Sequence, residues 1–97
     1  MGKTKQVAPY TRAHRAIRNA AQDAPREARW YVSKEALYWF EMLDEYVTAD
    51  YFHNVLPMVG KIQPFHFVEV DGTLSANSAE LRNGTDIIAI LDLPQID

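Results

Sequence analysis

The sequence predicts an α+β domain, with two to three helices packed on a small antiparallel sheet. Three observations carry that expectation. Apolar residues recur at helical spacing through the first half of the chain. From Phe65 onward the period falls to two. Turn residues then punctuate the last third at short intervals, at Asp71-Gly72 and again at Asn83-Gly84.

Residues 1–9 are polar and basic and end in Pro9, which reads as a flexible basic arm ahead of a single domain over 10–97. Thr11 is placed to cap a helix of about three turns that ends near Ala24-Pro25. On it Ala13, Ala16, Ile17, Ala20 and Ala21 share one side, and Arg12, Arg15, Arg18, Asn19 and Gln22 share the other. Ala28–Val32 is aromatic and β-branched enough for a short additional strand. Ser33 is positioned to cap a helix from Lys34 to about Val47. Thr48 or Asp50 restarts a helical stretch through Leu56, stopped by Pro57, with Gly60 marking the turn out. A three-stranded meander closes the chain: Phe65–Val70, a hairpin at Asp71-Gly72 returning through Thr73–Ala76, and Thr85–Leu93. Ser78–Leu81 is read as one helical turn inside it.

Composition bounds the function. A chain of 97 residues with 47% apolar residues is one domain's worth of globular protein. It has no cysteine, which removes disulfides, thiolate zinc sites and cysteine nucleophiles together. Its longest uncharged apolar run, Ile87–Leu91, is far too short to span a membrane. The opening residues lack the apolar segment of a secretory signal, so a soluble intracellular protein is the default expectation. The net charge of −3 conceals a split. Met1–Arg29 holds seven Lys/Arg against two acids, and Trp30–Asp97 holds three against eleven. Such a basic arm on an acidic body suits either an anionic partner or attraction between the two halves, within or between chains.

The weightiest feature is an excess of apolar perimeter. On a helix running from Lys34 to Val47, apolar side chains would cover roughly 220° of the circumference, whereas a core-facing stripe needs only about 100°. In the last strand Ile87, Ala89 and Leu91 point one way and Ile88 and Ile90 the other, as in a strand covered on both sides. Either the first helix supplies the missing cover or a partner does. Tyr38, Trp39 and Met42 are therefore candidate contact residues, and for Trp39 the core is the competing assignment. Glu41, Asp44 and Glu45 form a carboxylate face opposite the apolar arc, suited to a basic partner or simply to water.

Other constellations are thinner. Lys3, Lys5, Arg12, Arg15 and Arg18, with His14 nearby, supply cations at a spacing that can contact phosphates, so nucleic acid is the alternative partner. No helix-turn-helix, RNP motif or glycine-rich loop accompanies them. Asp50 and His53 are three residues apart, but a metal site needs at least a third ligand, and only His66 and Glu69 remain at a distance. His66, flanked by two phenylalanines, reads as a partly buried, hydrogen-bonded histidine. Ser33, Ser75 and Ser78 lack a nucleophile-elbow context. A pocket lined by Trp30, Trp39 or Tyr46 with His53 or His66 is what an enzyme or ligand-binding domain would need.

The expectation is thus a non-enzymatic protein–protein interaction module, a small regulatory, inhibitory or assembly subunit, needing no cofactor. Its partner would be another protein or a second copy. Small cysteine-free chains of this kind are frequent among phage accessory and virion proteins, which is an association rather than a derivation.

Overall fold

The computed structural model describes residues 9–43, 46–48 and 66–95. The α+β class holds, and the sheet is mixed rather than antiparallel throughout. The order along the chain is α1 (Pro9–Gln22), β1 (Arg29–Val32), α2 (Lys34–Glu41), β2 (Tyr46–Thr48), β3 (His66–Val70), β4 (Ser78–Asn83) and β5 (Asp86–Asp92). Across the sheet the order is β2-β3-β1-β4-β5.

Helix α1 starts at Pro9, so Pro9 belongs to the helix and Thr11 lies inside the first turn instead of capping it. Proline is at home there, because the first turn's N–H groups have no intrahelical acceptor to lose. Ala13, Ile17 and Ala21 are buried along one side, and Ala16 and Ala20 flank them. This is the apolar face its spacing predicts. Small residues there bring α1 close to β5 and α2.

The short strand expected at 28–32 becomes β1, the central strand. It pairs in parallel with β3 (Trp30 with Val68) and antiparallel with β4 (Trp30 with Leu81). Trp30 and Val32 are completely buried on the side facing the helices. Ser33 follows at once, and its hydroxyl accepts the Ala36 N–H at 3.1 Å. That cap is worth about 1 kcal/mol, and it turns the chain from strand into helix within one residue. Buried Ala36, Trp39 and Phe40 then seat α2 on the sheet, with the Trp30 and Phe40 rings 5.0 Å apart.

Further expectations are corrected. Helix α2 ends at Glu41 with Met42 as its C-cap, well short of Val47. Tyr46–Thr48 is drawn into a parallel ladder with His66–Val68, and an aromatic and β-branched triplet favours that over another helical turn. The wide apolar arc expected on this helix loses Met42, Leu43, Tyr46 and Val47, which lie beyond its last residue, and Thr48 starts no helix. The rest of that expected stretch, Asp50 to Gly60, lies outside the described residues.

The C-terminal meander is also revised. Strands β3 and β4 do not pair with each other, because β1 lies between them. Asp71 explains why. Its Oδ1 accepts both the N–H and the hydroxyl of Thr73, at 2.9 and 2.6 Å, and its own N–H donates to the Val32 carbonyl at 2.8 Å. The turn is thereby pinned over the end of β1 rather than folding back on β3. Residues 73–76 form successive turns, not a returning strand. Asn77 takes the left-handed conformation (φ 64°), which asparagine tolerates better than most residues, and its carbonyl accepts the Leu93 N–H at 2.8 Å.

Ser78–Leu81, expected as a helical turn, opens β4 instead. Ala79 and Leu81 are buried while Ser78, Glu80 and Arg82 are not, a period of two that a helix cannot satisfy. The turn at Asn83-Gly84 holds. Asn83 pairs with Asp86 across two residues, and Gly84 supplies the positive φ (65°) that the tight connection requires.

Both helices lie on one face of the sheet. The Trp39 indole N–H donates to the Pro94 carbonyl at 2.9 Å, and Leu93 is buried, so the segment after β5 is fastened across α2.

Candidate interaction surface

No described element lies over the sheet's second face. Its ladder of side chains is assembled from alternate residues of β1, β3 and β4, and it is mostly self-satisfied. Arg82 donates to Glu80 Oε1 through Nε and one terminal nitrogen, at 2.9 and 2.6 Å, and approaches Asp71 at 3.5 Å. Its guanidinium stacks 4.3 Å from the Tyr31 ring centre. The carboxylates, Glu80 foremost, hold Arg82 in its charged form. The Thr73 donors, followed by Arg82, hold the Asp71 carboxyl below its usual range. Arg29 makes a second unit, 3.7 Å from Glu69 and 5.4 Å above the Phe67 ring. Beside it a shallow depression of about 350 Å³ is lined by Arg26, Glu27, Ala28, Arg29 and Phe67.

Towards the sheet's outer edge the character changes. Strand β5 is expected to need cover on both sides, from the first helix or from a partner, and the described residues cover only one of them. Ala89 and Leu91 turn towards the helices and are partly buried, opposite Leu81 and Ala79. Ile87, Ile88 and Ile90 are 53%, 40% and 66% exposed. The ladder slips between Leu81 and Arg82, so Ile87 pairs with Arg82 and Ile88 becomes the extra residue of a β-bulge. Three isoleucines thus gather on one terminal strand, whose other side no described strand pairs. A solvated isoleucine is unremarkable alone, but three on an open edge form the kind of surface that proteins ordinarily blunt.

The expected contact residues on α2 divide. Tyr38 and Met42 are 44% and 43% exposed, one helical turn apart, and Glu41 is exposed beside them. Trp39, only 6% exposed, is a core residue whose indole is out of a partner's reach. Asp44 and Glu45 lie outside the described residues. On α1, Arg12, Arg15 and Arg18 all face outward. Arg18 Nε donates to His14 Nε2 at 2.8 Å, and Tyr10 packs edge-on against that imidazole. Lys3 and Lys5 lie outside the described residues. The α1 arginines and the α2 pair belong to the helical layer, whereas the isoleucines sit at the sheet edge. The expected sites are therefore not brought together into one.

Among the described residues, no three His, Asp or Glu side chains are grouped to hold a metal ion. Asp50 and His53 lie outside them. His66 is buried on β3, and its Nε2–H donates to the Pro25 carbonyl at 3.1 Å. Burial pushes its pKa below the usual 6.5, against the smaller opposing pull of that carbonyl. The native state therefore resists a proton that the unfolded chain accepts. Above the usual pKa both states are neutral and there is no effect; as pH falls below 6.5 the fold loses stability. The urea midpoint should drop between pH 7 and pH 5.5, and the drop should shrink in His66→Gln, whose amide keeps the donor. His14, shifted in the same direction by its burial and by Arg18, contributes to the slope that persists. An unchanged slope in His66→Gln would contradict this account.

Comparison with protein-family models, with curated proteins and with solved structures finds no match. No helix among the described residues is long and apolar enough to cross a membrane.

The isoleucines are not among the expected contact residues, because apolar residues on both faces of one strand do not tell cover by the chain itself from cover by a partner.

Proposed function

We propose that this chain is a non-enzymatic protein–protein interaction module that works by presenting the β5 edge to a partner. One observation carries the reading: a terminal strand whose outer side is unpaired among the described residues, with Ile87, Ile88 and Ile90 exposed together. Fully burying an isoleucine is worth about 1.5–3 kcal/mol, so covering three that are already half-covered offers several kcal/mol. The unpaired backbone groups of β5 add direction to that attraction, as in recognition by strand addition. Exposed Tyr38 and Met42 are a second, smaller apolar surface in the helical layer.

The test compares two immobilised proteins, the chain itself and its Ile88→Lys/Ile90→Lys variant, in capture from a native lysate. The chain should retain one or more proteins that the variant loses, or should dimerise by sedimentation where the variant does not. Both changes are at exposed positions and should lower stability by no more than about 1 kcal/mol each. Identical captured sets and identical sedimentation would end this reading.

A second reading has its own observation. The outward row of Arg12, Arg15 and Arg18 on α1 suits a nucleic-acid accessory protein. Its affinity would fall steeply with added salt, and elution from a polyanion column at low salt would remove it.

A further inference from the structure

The carboxylates of the sheet are not equivalent, and the difference says what sort of partner fits. Glu69, Asp71 and Glu80 are each engaged by an arginine of the same face. Asp86 and Asp92, the first and last residues of β5, are exposed and have no ion pair among the described residues. Between them runs Ile-Ile-Ala-Ile-Leu, with no charge at all. The strand thus presents an apolar centre bracketed by two unsatisfied negative charges about 20 Å apart, at ~3.3 Å per residue.

Resting on the interaction reading above, we infer that β5 accepts as a sixth strand an extended segment of another protein. That segment is apolar at its centre and carries Lys or Arg at two positions about six residues apart. Each half of the inference has its own cause. Alternate residues of an edge strand direct N–H and C=O away from the neighbour already paired, so an incoming strand completes a ladder. Opposite charges directly across a strand pair stabilise it and like charges destabilise it. A second copy pairing antiparallel about Ala89 would set Asp86 against the other copy's Asp92 at both ends. The same two residues that invite a basic partner therefore disfavour self-pairing in that register. The bulge at Ile88 narrows the choice further, because a partner must follow the bend it introduces.

The test uses the full ¹⁵N-labelled chain and two end-blocked synthetic heptapeptides of alternating valine and threonine, one with lysine at each end and one with glutamate. The lysine-ended peptide should shift the amide resonances of residues 86–92 and bind about tenfold more tightly than the glutamate-ended one. In Asp86→Asn/Asp92→Asn that preference should vanish. N-methylation of alternate peptide nitrogens should abolish binding, because it removes the ladder donors. Equal affinity of the two peptides for the unmodified chain overturns the charge assignment. Resonances of β5 that stay unmoved by either peptide overturn the sixth strand, as does a dimer through β5 that the lysine-ended peptide does not displace. None of these outcomes alters the capture comparison between the chain and Ile88→Lys/Ile90→Lys, so the narrower inference can fail while the broader one stands.

Discussion

Replacing Trp30 with alanine is expected to cost about 3–5 kcal/mol, a large part of the ~5–15 kcal/mol that holds a domain of this size together. Trp30 is completely buried on the central strand, with β3 on one side of it, β4 on the other and the tilted Phe40 ring 5.0 Å away. Its removal opens a cavity at the one place where the surrounding strands are least free to collapse. The neighbouring Tyr31 is the natural control. It points to the open face and is only partly covered, so Tyr31→Ala should lose little beyond its contact with Arg82, about 0.5–1 kcal/mol. Urea titrations of the two variants measure the contrast. A Trp30→Ala cost no larger than that of Tyr31→Ala would mean that the core is not centred on β1.

Truncation after Asp92 should be nearly as severe, at roughly 3–5 kcal/mol, although it removes no element of secondary structure. Leu93 is 5% exposed within the core, and emptying a buried leucine site costs about 2–5 kcal/mol. The same cut takes away the Pro94 carbonyl that receives the Trp39 indole N–H, and a donor left buried without its acceptor costs a further ~1–3 kcal/mol. The two losses overlap, since water entering the vacated leucine site can satisfy the indole. Stopping two residues later, after Pro94, should restore nearly all of the stability. Thermal unfolding of the two truncated forms distinguishes this fastening from a dispensable tail.

How far these features can be read from the residues depends on how local their causes are. The inner face of α1, with Ala13, Ile17 and Ala21 at helical spacing, is a local pattern and is legible directly. So are the Ser33 cap and the turn at Gly84. The end of α2 is not, because Tyr46–Thr48 leaves the helical pattern only to meet His66–Val68, and nothing near it in the chain announces that ladder. The insertion of β1 between β3 and β4 is hidden for the same reason. Asp71-Gly72 resembles a hairpin until the Val32 carbonyl is there to receive the Asp71 N–H. For the surface, the exposed state of Tyr38 and Met42 follows from their place on α2. The greasy run of β5 was visible, but its position at the sheet's edge depends on the order of all five strands, which alternation in one strand cannot reveal.

The central position of β1 also sets a timetable. Trp30 and Val32 are made well before both of their flanking strands, and α1 rests on β5, which follows β4 in the chain. Among the described residues, the part before β3 cannot close this interior by itself. Assembly must wait for β3, β4 and β5, and it then depends on contacts between segments distant in sequence, which slows collapse to the ordered state. Until that moment two tryptophans and the apolar side of α1 are available to any neighbour, so crowding of nascent chains is where this protein is most vulnerable to aggregation.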